Sequence, residues 1–177
     1  MIDTCVLYPT VMREMVLGAA RAGLLVPLWS ERILEEWRLA AAKLGALGVA
    51  QAEAELALLR RDWPKAICPP ASGLESRLYL PDANDLHVLA IAINASADAI
   101  MTLNAKDFPR DVLAEEGLER VEPDTFLAGL HARHPEIMAE VAEKVLAEAR
   151  RLSGADWQLR PLLKKARLPR LAKALTR

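Results

Sequence analysis

The chain has 177 residues, of which 53% are hydrophobic, 27% charged and 5% aromatic, and its formal net charge is -1. The apolar content is too high and the net charge too low for a disordered chain, so we expect a folded globular domain. The 8 Gly and 11 Pro exclude a collagen-like or linker-like composition.

Membrane insertion and secretion are not indicated. No run approaches the roughly 18 consecutive apolar residues of a membrane span, and Asp3 lies where a signal peptide would be basic. Cys5 and Cys68 lie far apart and show no CxxC or Cys/His spacing, so neither a disulfide framework nor a zinc site is indicated. We therefore expect a cytoplasmic protein with two free, buried cysteines.

The two signs of charge are segregated along the chain. Residues 1–149 hold 14 Lys/Arg and 23 Asp/Glu, a net charge of -9, whereas residues 150–177 hold 9 and 1, a net charge of +8. A basic C-terminal segment on an acidic body can meet phosphate groups or an acidic partner, and this asymmetry is compatible with nucleic-acid binding.

The first elements predicted are short apolar strands alternating with helices. A strand interrupted by a carboxylate is predicted at residues 1–7, a helix from Pro9-Thr10 to about Ala22, and a second strand at residues 24–28. Ser30 is a good N-cap for the next helix, which we expect Gly45 and Gly48 to end. Its apolar residues recur at helical spacing: Ile33, Leu34, Trp37, Ala41 and Leu44.

Alternation continues to residue 103 and then gives way to helices. A helix is predicted at residues 51–63, a strand at 65–68, a loop at 69–73 and a strand at 99–103. The helix predicted from Pro81-Asp82 to Ser96 is apolar nearly all round, so we expect it to be buried against a sheet. After Pro123 the pattern is helical, with amphipathic segments at 136–152 and 159–166. The pattern predicts an α/β layered fold with a mainly parallel sheet.

Acidic residues occur where open parallel sheets gather functional groups, at strand ends and helix starts. Asp3 lies in the first predicted strand and Asp107 follows the last one. Asp82 and Asp85 are three residues apart at a helix start and project from roughly the same side of that helix. This spacing is also ordinary helix-start chemistry, so the pair taken alone favours capping over catalysis.

Helical geometry separates Glu35 from Glu36. At about 100° per residue, Glu36 lies near the border of the apolar face and Glu35 nearly opposite it. We therefore take Glu36 as the candidate for an inward role and expect Glu35 to face solvent.

Several carboxylates held together would repel one another and raise each other's pKa, so their clustering favours a divalent cation that neutralises them. Hard oxygen ligands suit magnesium or manganese, which also accept phosphate oxygens from a substrate. Such an ion, or a pair of ions, can activate water for displacement at phosphorus.

Four segments carry these acids: residues 2–7 with Asp3, residues 30–37 with Glu36, residues 80–90 with Asp85, and residues 98–109 with Asp107. In combination they resemble the PIN-domain nucleases, the metal-dependent group that includes the VapC-like toxins of toxin–antitoxin systems. The resemblance covers roughly residues 1–130. It implies a PIN-like α/β/α sandwich with a central, mainly parallel sheet, followed by a helical, basic C-terminal extension at residues 131–177.

The resemblance also implies a function and a site. It implies a ribonuclease dependent on Mg²⁺ or Mn²⁺ that acts as a growth-inhibiting toxin, forms a homodimer and is blocked by a cognate antitoxin. The residues it makes metal ligands or orienters of the attacking water are Asp3, Glu36, Asp85 and Asp107, with Asp82 as an accessory metal ligand. Asn104 falls where many relatives have an acid.

Two other readings compete with this one. Phosphatases that resemble haloacid dehalogenases also begin with a strand-end Asp, but they need a second Asp two residues later, where this chain has Cys5. A non-catalytic nucleic-acid-binding or adaptor module would instead use the basic C-terminal helices, whose cations could contact phosphates. That segment also fits a solvated face of amphipathic helices.

Overall fold

A computed structural model describes residues 1–176 of the chain. The chain forms two compact units, and each unit takes two separate stretches of sequence. Unit 1 comprises residues 1–5 and 27–120, and unit 2 comprises residues 6–26 together with the described residues from 121 onward. The division into a nuclease domain and an extension at residue 130 stays a prediction.

Helices dominate both units, and the strands are short. In chain order the helices are α1 (Thr4–Leu7), α2 (Thr10–Arg21), α3 (Glu31–Ala42), α4 (Ala46–Asp62), α5 (Ser72–Glu75), α6 (Leu86–Asn94), α7 (Arg110–Glu115), α8 (Pro123–Arg133), α9 (Pro135–Ser153), α10 (Leu159–Lys165) and α11 (Pro169–Leu175). The strands are β1 (Trp29–Ser30), β2 (Ile67–Cys68), β3 (Ala99–Met101) and β4 (Glu119–Val121). Short 3-10 turns occupy Pro64–Ala66 and Ala83–Asp85.

The strands of unit 1 are linked through the first residues of the chain. β1 and β2 pair in parallel, with Trp29 opposite Ile67, and β3 pairs with β4. Ile2 donates its N–H to the Leu28 carbonyl and forms an isolated parallel bridge with Met101 of β3. The predicted α/β fold with parallel strands is therefore confirmed.

The helix predicted after Ser30 is confirmed as α3, and the helix predicted from Pro81-Asp82 to Ser96 forms only over Leu86–Asn94, preceded by the 3-10 turn Ala83–Asp85. The Ser30 hydroxyl accepts the Ile33 N–H at 3.2 Å and caps α3. α6 is buried along nearly its whole length, as its continuous apolar sequence predicts. Gly45 has φ of +83°, a conformation that L side chains rarely adopt, and it separates α3 from α4, whereas Gly48 lies inside α4.

Two strand predictions near the N-terminus are wrong. Residues 24–28 form no strand, because Val26 is 82% exposed and Pro27 has no N–H to donate, and pairing begins only at Trp29. The strand predicted at residues 1–7 contributes only the Ile2 bridge, since the chain enters α1 at Thr4. A strand of only two or three residues is too short to show the alternation of apolar and polar residues by which a strand is located from sequence.

Unit 2 is a helical bundle. α2 packs on α9, and Gly18 allows the approach, because a Cβ at this position would clash with Val141 Cγ1. α8 packs on α11, and the Asp124 carboxylate accepts the backbone N–H groups of Arg170 and Leu171 at 2.9–3.1 Å. The helices predicted at residues 136–152 and 159–166 are confirmed as α9 and α10.

Candidate metal centre

Three aspartates from two segments of unit 1 meet in space. Asp82 caps the 3-10 turn that leads into α6, Asp85 is the last residue of that turn, and Asp107 lies in the loop after β3. Each offers one carboxylate oxygen, and these oxygens all lie within 4.8 Å of one another. We call these three residues the aspartate cluster. Asp82 is also a cap, because its Oδ1 accepts the Asn84 N–H at 2.9 Å, so capping and clustering are not alternatives here.

The electrostatics of the cluster centre on Asp85. Partial burial, followed by the charges of Asp3, Asp82, Asp107 and Glu36, raises the pKa of Asp85 from 3.8 to about 6. The other four sequence-derived acids therefore all contribute to the raised pKa of Asp85. The ionised state of Asp85 is unfavourable unless positive charge enters the site.

Asp3 is the most deeply buried of these acids, with 7% of its surface exposed. Its Oδ2 accepts hydrogen bonds from the Thr102 hydroxyl at 2.7 Å and from the Cys5 thiol at 3.0 Å. Burial and the neighbouring Asp3 charge raise the pKa of the Cys5 thiol to about 12, which keeps it protonated as a donor. Cys5 is thus a polar neighbour of the site, whereas Cys68 is buried as predicted.

Glu36 points inward from α3, and Glu35 does not. The Glu36 carboxylate accepts the Thr4 hydroxyl at 2.7 Å and lies 2.8 Å from Nε2 of His87, which is 1% exposed. Burial raises the pKa of Glu36, but the hydrogen bonds from His87 and Thr4 outweigh it and the net direction is downward. Glu35 is exposed and pairs with Arg38, so the orientation predicted for both glutamates is confirmed.

The loop that carries Asp107 is held by polar contacts. Asn104 Nδ2 donates to Asp107 Oδ2, and the Asn104 N–H donates to the Thr102 hydroxyl at 2.9 Å. Arg120 of β4 donates to the carbonyls of Ala105 and Phe108 at 2.7 and 2.9 Å. This side chain, which carries no sequence signal of its own, fixes both flanks of Asp107.

One cation lies beside these acids. Arg32 of α3 donates to the Asn84 carbonyl at 3.2 Å, and its Nε lies 3.9 Å from Glu36. Its Nη1 also lies 3.9 Å from Glu75, and the side chain is half exposed, so part of the guanidinium faces solvent. No sequence argument singled it out.

The site residues predicted from the sequence therefore lie in one region, but only three of them are close enough together to form the aspartate cluster. Asp82, Asp85 and Asp107 form the aspartate cluster, whereas Asp3 and Glu36 lie outside it but near enough to raise the pKa of Asp85. The catalytic and metal-binding roles of all five stay predictions.

Comparison with known families decides the classification. The family model for the PIN domain matches residues 1–106, more than half of the chain. The chain belongs to the PIN-domain family. No curated protein and no solved structure matches it.

PIN domains are generally metal-dependent nucleases, and the aspartate cluster fits that chemistry. Carboxylate oxygens are hard ligands that suit small divalent cations, and a cation would relieve the repulsion that raises the pKa of Asp85. The residues present in this PIN domain therefore fit a divalent metal ion. Among residues 1–176, no helix is both long enough and apolar enough to cross a membrane.

Proposed function

We propose that this PIN-domain protein is a ribonuclease that hydrolyses phosphodiester bonds in RNA with Mg²⁺ or Mn²⁺. The observation that carries the proposal is the aspartate cluster, in which partial burial and then the charges of four further carboxylates raise the pKa of Asp85 to about 6. Unpaired clustered carboxylates are unfavourable, so the arrangement is best understood as a cation site. A bound divalent ion would neutralise this charge, activate water and stabilise a phosphorane-like transition state.

The side chains of the site have two kinds of proposed role: some bind the metal ion or orient the attacking water, and others hold those carboxylates in place. Asp85 and Asp107 are proposed as metal ligands, with Asp82 as an accessory ligand. Asp3 and Glu36 are proposed as ligands or as orienters of the attacking water, since the first is held by Thr102 and the second by Thr4. Both contacts fix a carboxylate rotamer before substrate binds, which lowers the reorganisation needed in the reaction.

Arg32 supplies what the carboxylates cannot, a donor for the substrate. A guanidinium beside the acids can hold a non-bridging phosphate oxygen while water attacks the phosphorus. Its contact with the Asn84 carbonyl keeps it on the side of the cluster.

The test is RNA cleavage by the full chain with Mg²⁺, Mn²⁺ or EDTA. We expect cleavage only with metal, and a loss of at least 100-fold in kcat for Asp3→Asn and Asp85→Asn, each with an unchanged circular dichroism spectrum. Glu143→Gln, which removes an exposed acid on α9, is the matched control and should cleave normally. Undiminished metal-dependent cleavage by both Asp variants would refute the site.

The biological setting is a second part of the proposal. Because the toxin nucleases of toxin–antitoxin systems share the motifs quoted above, we propose a cytoplasmic, growth-inhibiting toxin that forms a homodimer and is blocked by a cognate antitoxin. Induced expression should arrest growth, and Asp85→Asn should abolish the arrest at equal protein levels. Arrest by the inactive variant would argue against a toxin that acts through cleavage.

A further inference from the structure

The C-terminal helices of unit 2 carry a concentration of unneutralised positive charge. Six cations belong to it: Arg160, Lys164, Lys165, Arg167, Arg170 and Lys173. All six are exposed, and we call them the basic surface. Not one of them forms an ion pair with any residue in the described range 1–176.

Five of these cations lie on α10 and α11, and Arg167 lies in the turn between the two helices. Lys165 Nζ lies 4.9 Å from the centroid of the Trp157 ring, a contact that leaves its charge unneutralised. Leu162 and Leu163 of α10 and Leu171 of α11 are buried, and the two helices pack against each other. Arg160 and Lys164 are four residues apart and therefore share one side of α10. The apolar faces of α10 and α11 are thus buried within unit 2, and their charged faces are exposed to solvent.

The acids in the neighbourhood are already engaged. Asp156 lies 3.5 Å from Arg150, and Glu148 lies 2.6 Å from Arg151. The Asp124 carboxylate, which is next to α11, accepts backbone N–H groups and does not pair with the Arg170 side chain. These acids therefore do not neutralise the cations of the basic surface.

Two of these cations line a depression. A cavity of about 320 Å³ lies between α8 and α11, and it is lined by Arg170, Lys173 and the exposed Thr125. Two positive side chains and a hydroxyl around one opening are donors that suit a phosphate group.

Charge complementarity favours RNA as the occupant. The proposed substrate is a polyanion, whereas residues 1–149 have a net charge of -9 and the aspartate cluster adds local repulsion. The positive charge that can offset this repulsion lies in residues 150–177, at +8. We propose that the basic surface binds the phosphate backbone of the RNA substrate, a role that rests on the proposed ribonuclease function.

The inference has a quantitative signature. Each phosphate contact on a single strand contributes about -0.7 to the slope of log K against log salt, so six contacts give a slope of about -4. Affinity should then fall roughly 300-fold between about 50 and 200 mM salt. Removing three of the contacts should halve the slope to about -2.

The experiment uses the full chain with Asp85→Asn in EDTA, so that binding is measured without cleavage. The test variant adds Lys164→Gln, Arg170→Gln and Lys173→Gln, which keep good helix formers at exposed positions. The matched control instead adds three Lys→Gln changes elsewhere, at exposed lysines without ion pairs in the described range: Lys43, Lys65 and Lys144. Fluorescence anisotropy with a labelled single-stranded RNA gives Kd across the salt series.

We expect the slope of log K against log salt to change from about -4 to about -2 in the test variant, and its RNA binding near 0.1 M salt to be at least tenfold weaker. The control variant should keep the slope and the affinity of the parent chain. In the active chain, the same three substitutions should raise KM at least tenfold with kcat within about twofold. An unchanged slope and KM, with cleavage intact, would overturn the inference and leave the proposed function standing.

Other results would distinguish RNA from other ligands of the basic surface. Binding to vesicles of anionic lipid with no binding to RNA would overturn the inference in favour of a membrane surface, and selective binding to an acidic peptide would overturn it in favour of a protein partner. Salt-dependent RNA binding by the basic surface, together with no cleavage under any metal condition, would support the surface and remove the ribonuclease proposal.

Discussion

Asp85→Asn should make the metal-free protein more stable at neutral pH. The folded state raises the pKa of Asp85 from 3.8 to about 6, so folding is penalised when this carboxylate is ionised. At about 1.4 kcal/mol per pKa unit, the full shift corresponds to about 3 kcal/mol. Because Asp85 is only partly buried, solvent screening reduces this to about 1 kcal/mol.

The size of this stability penalty depends on pH within a defined window. Between about pH 4 and pH 6 the folded protein binds this proton more tightly than the unfolded chain does, so stability falls as pH rises through that range. Above pH 6 the penalty is complete, and below pH 4 it is absent. The Asn variant lacks the charge, so its advantage should appear near pH 7.5 and vanish near pH 4.

The assay is urea unfolding in EDTA, with Glu143→Gln as the exposed-acid control. Added Mg²⁺ should then reverse the order, because a ligand that binds only the folded state stabilises wild type and not the variant. If Asp85→Asn is less stable than wild type in EDTA at pH 7.5, with equal m-values, the repulsion argument is wrong.

Three further predictions follow from the same contacts. Mg²⁺ affinity should fall about tenfold for each pH unit below the Asp85 pKa of about 6, which calorimetry at several pH values measures. Thr102→Val removes the hydroxyl that donates to the buried Asp3 and should cost about 1–3 kcal/mol by thermal unfolding. Gly18→Ala places a methyl against a valine of α9 and should cost about 1–3 kcal/mol, whereas Gly129→Ala on α8, where the nearest atom lies 3.8 Å away, should be neutral or stabilising.

Each of these has a contrary result. A metal affinity that is constant from pH 7.5 to 5 would exclude Asp85 as a titrating ligand. An unchanged melting temperature for Thr102→Val would mean that water replaces the hydroxyl. Equal stability of the two Gly→Ala variants would mean that α9 shifts to accommodate the added methyl with no loss of stability.

Local signals were sufficient for much of the site. The inward direction of Glu36 followed from the 3.6-residue period of α3, and the cap at Ser30 fixed where that helix starts. Asp82 and Asp85 were found because three-residue spacing at a helix start is visible without knowledge of the fold. Such features depend on neighbours within one or two turns, and for that reason they can be predicted.

Long-range features could not be predicted in the same way. The two-residue strand β1 is defined by its pairing with β2, which lies 38 residues further on, and its own sequence shows no alternation. Arg120 supports the Asp107 loop only because β4 lies beside β3, and the raised pKa of Cys5 depends on its burial in the folded chain and on the neighbouring charge of Asp3. Each of these properties belongs to a tertiary arrangement and to no single segment.

The interleaved path of the chain limits how the protein can be shortened. α2 lies within the segment that matches the PIN family, yet it belongs to unit 2 and packs on α8, α9 and α10. Truncation after residue 120 would expose its buried face, which includes Met12, Met15 and Val16. A version shortened to the family match, residues 1–106, lacks the same partner helices and would also display this apolar face to solvent and tend to aggregate.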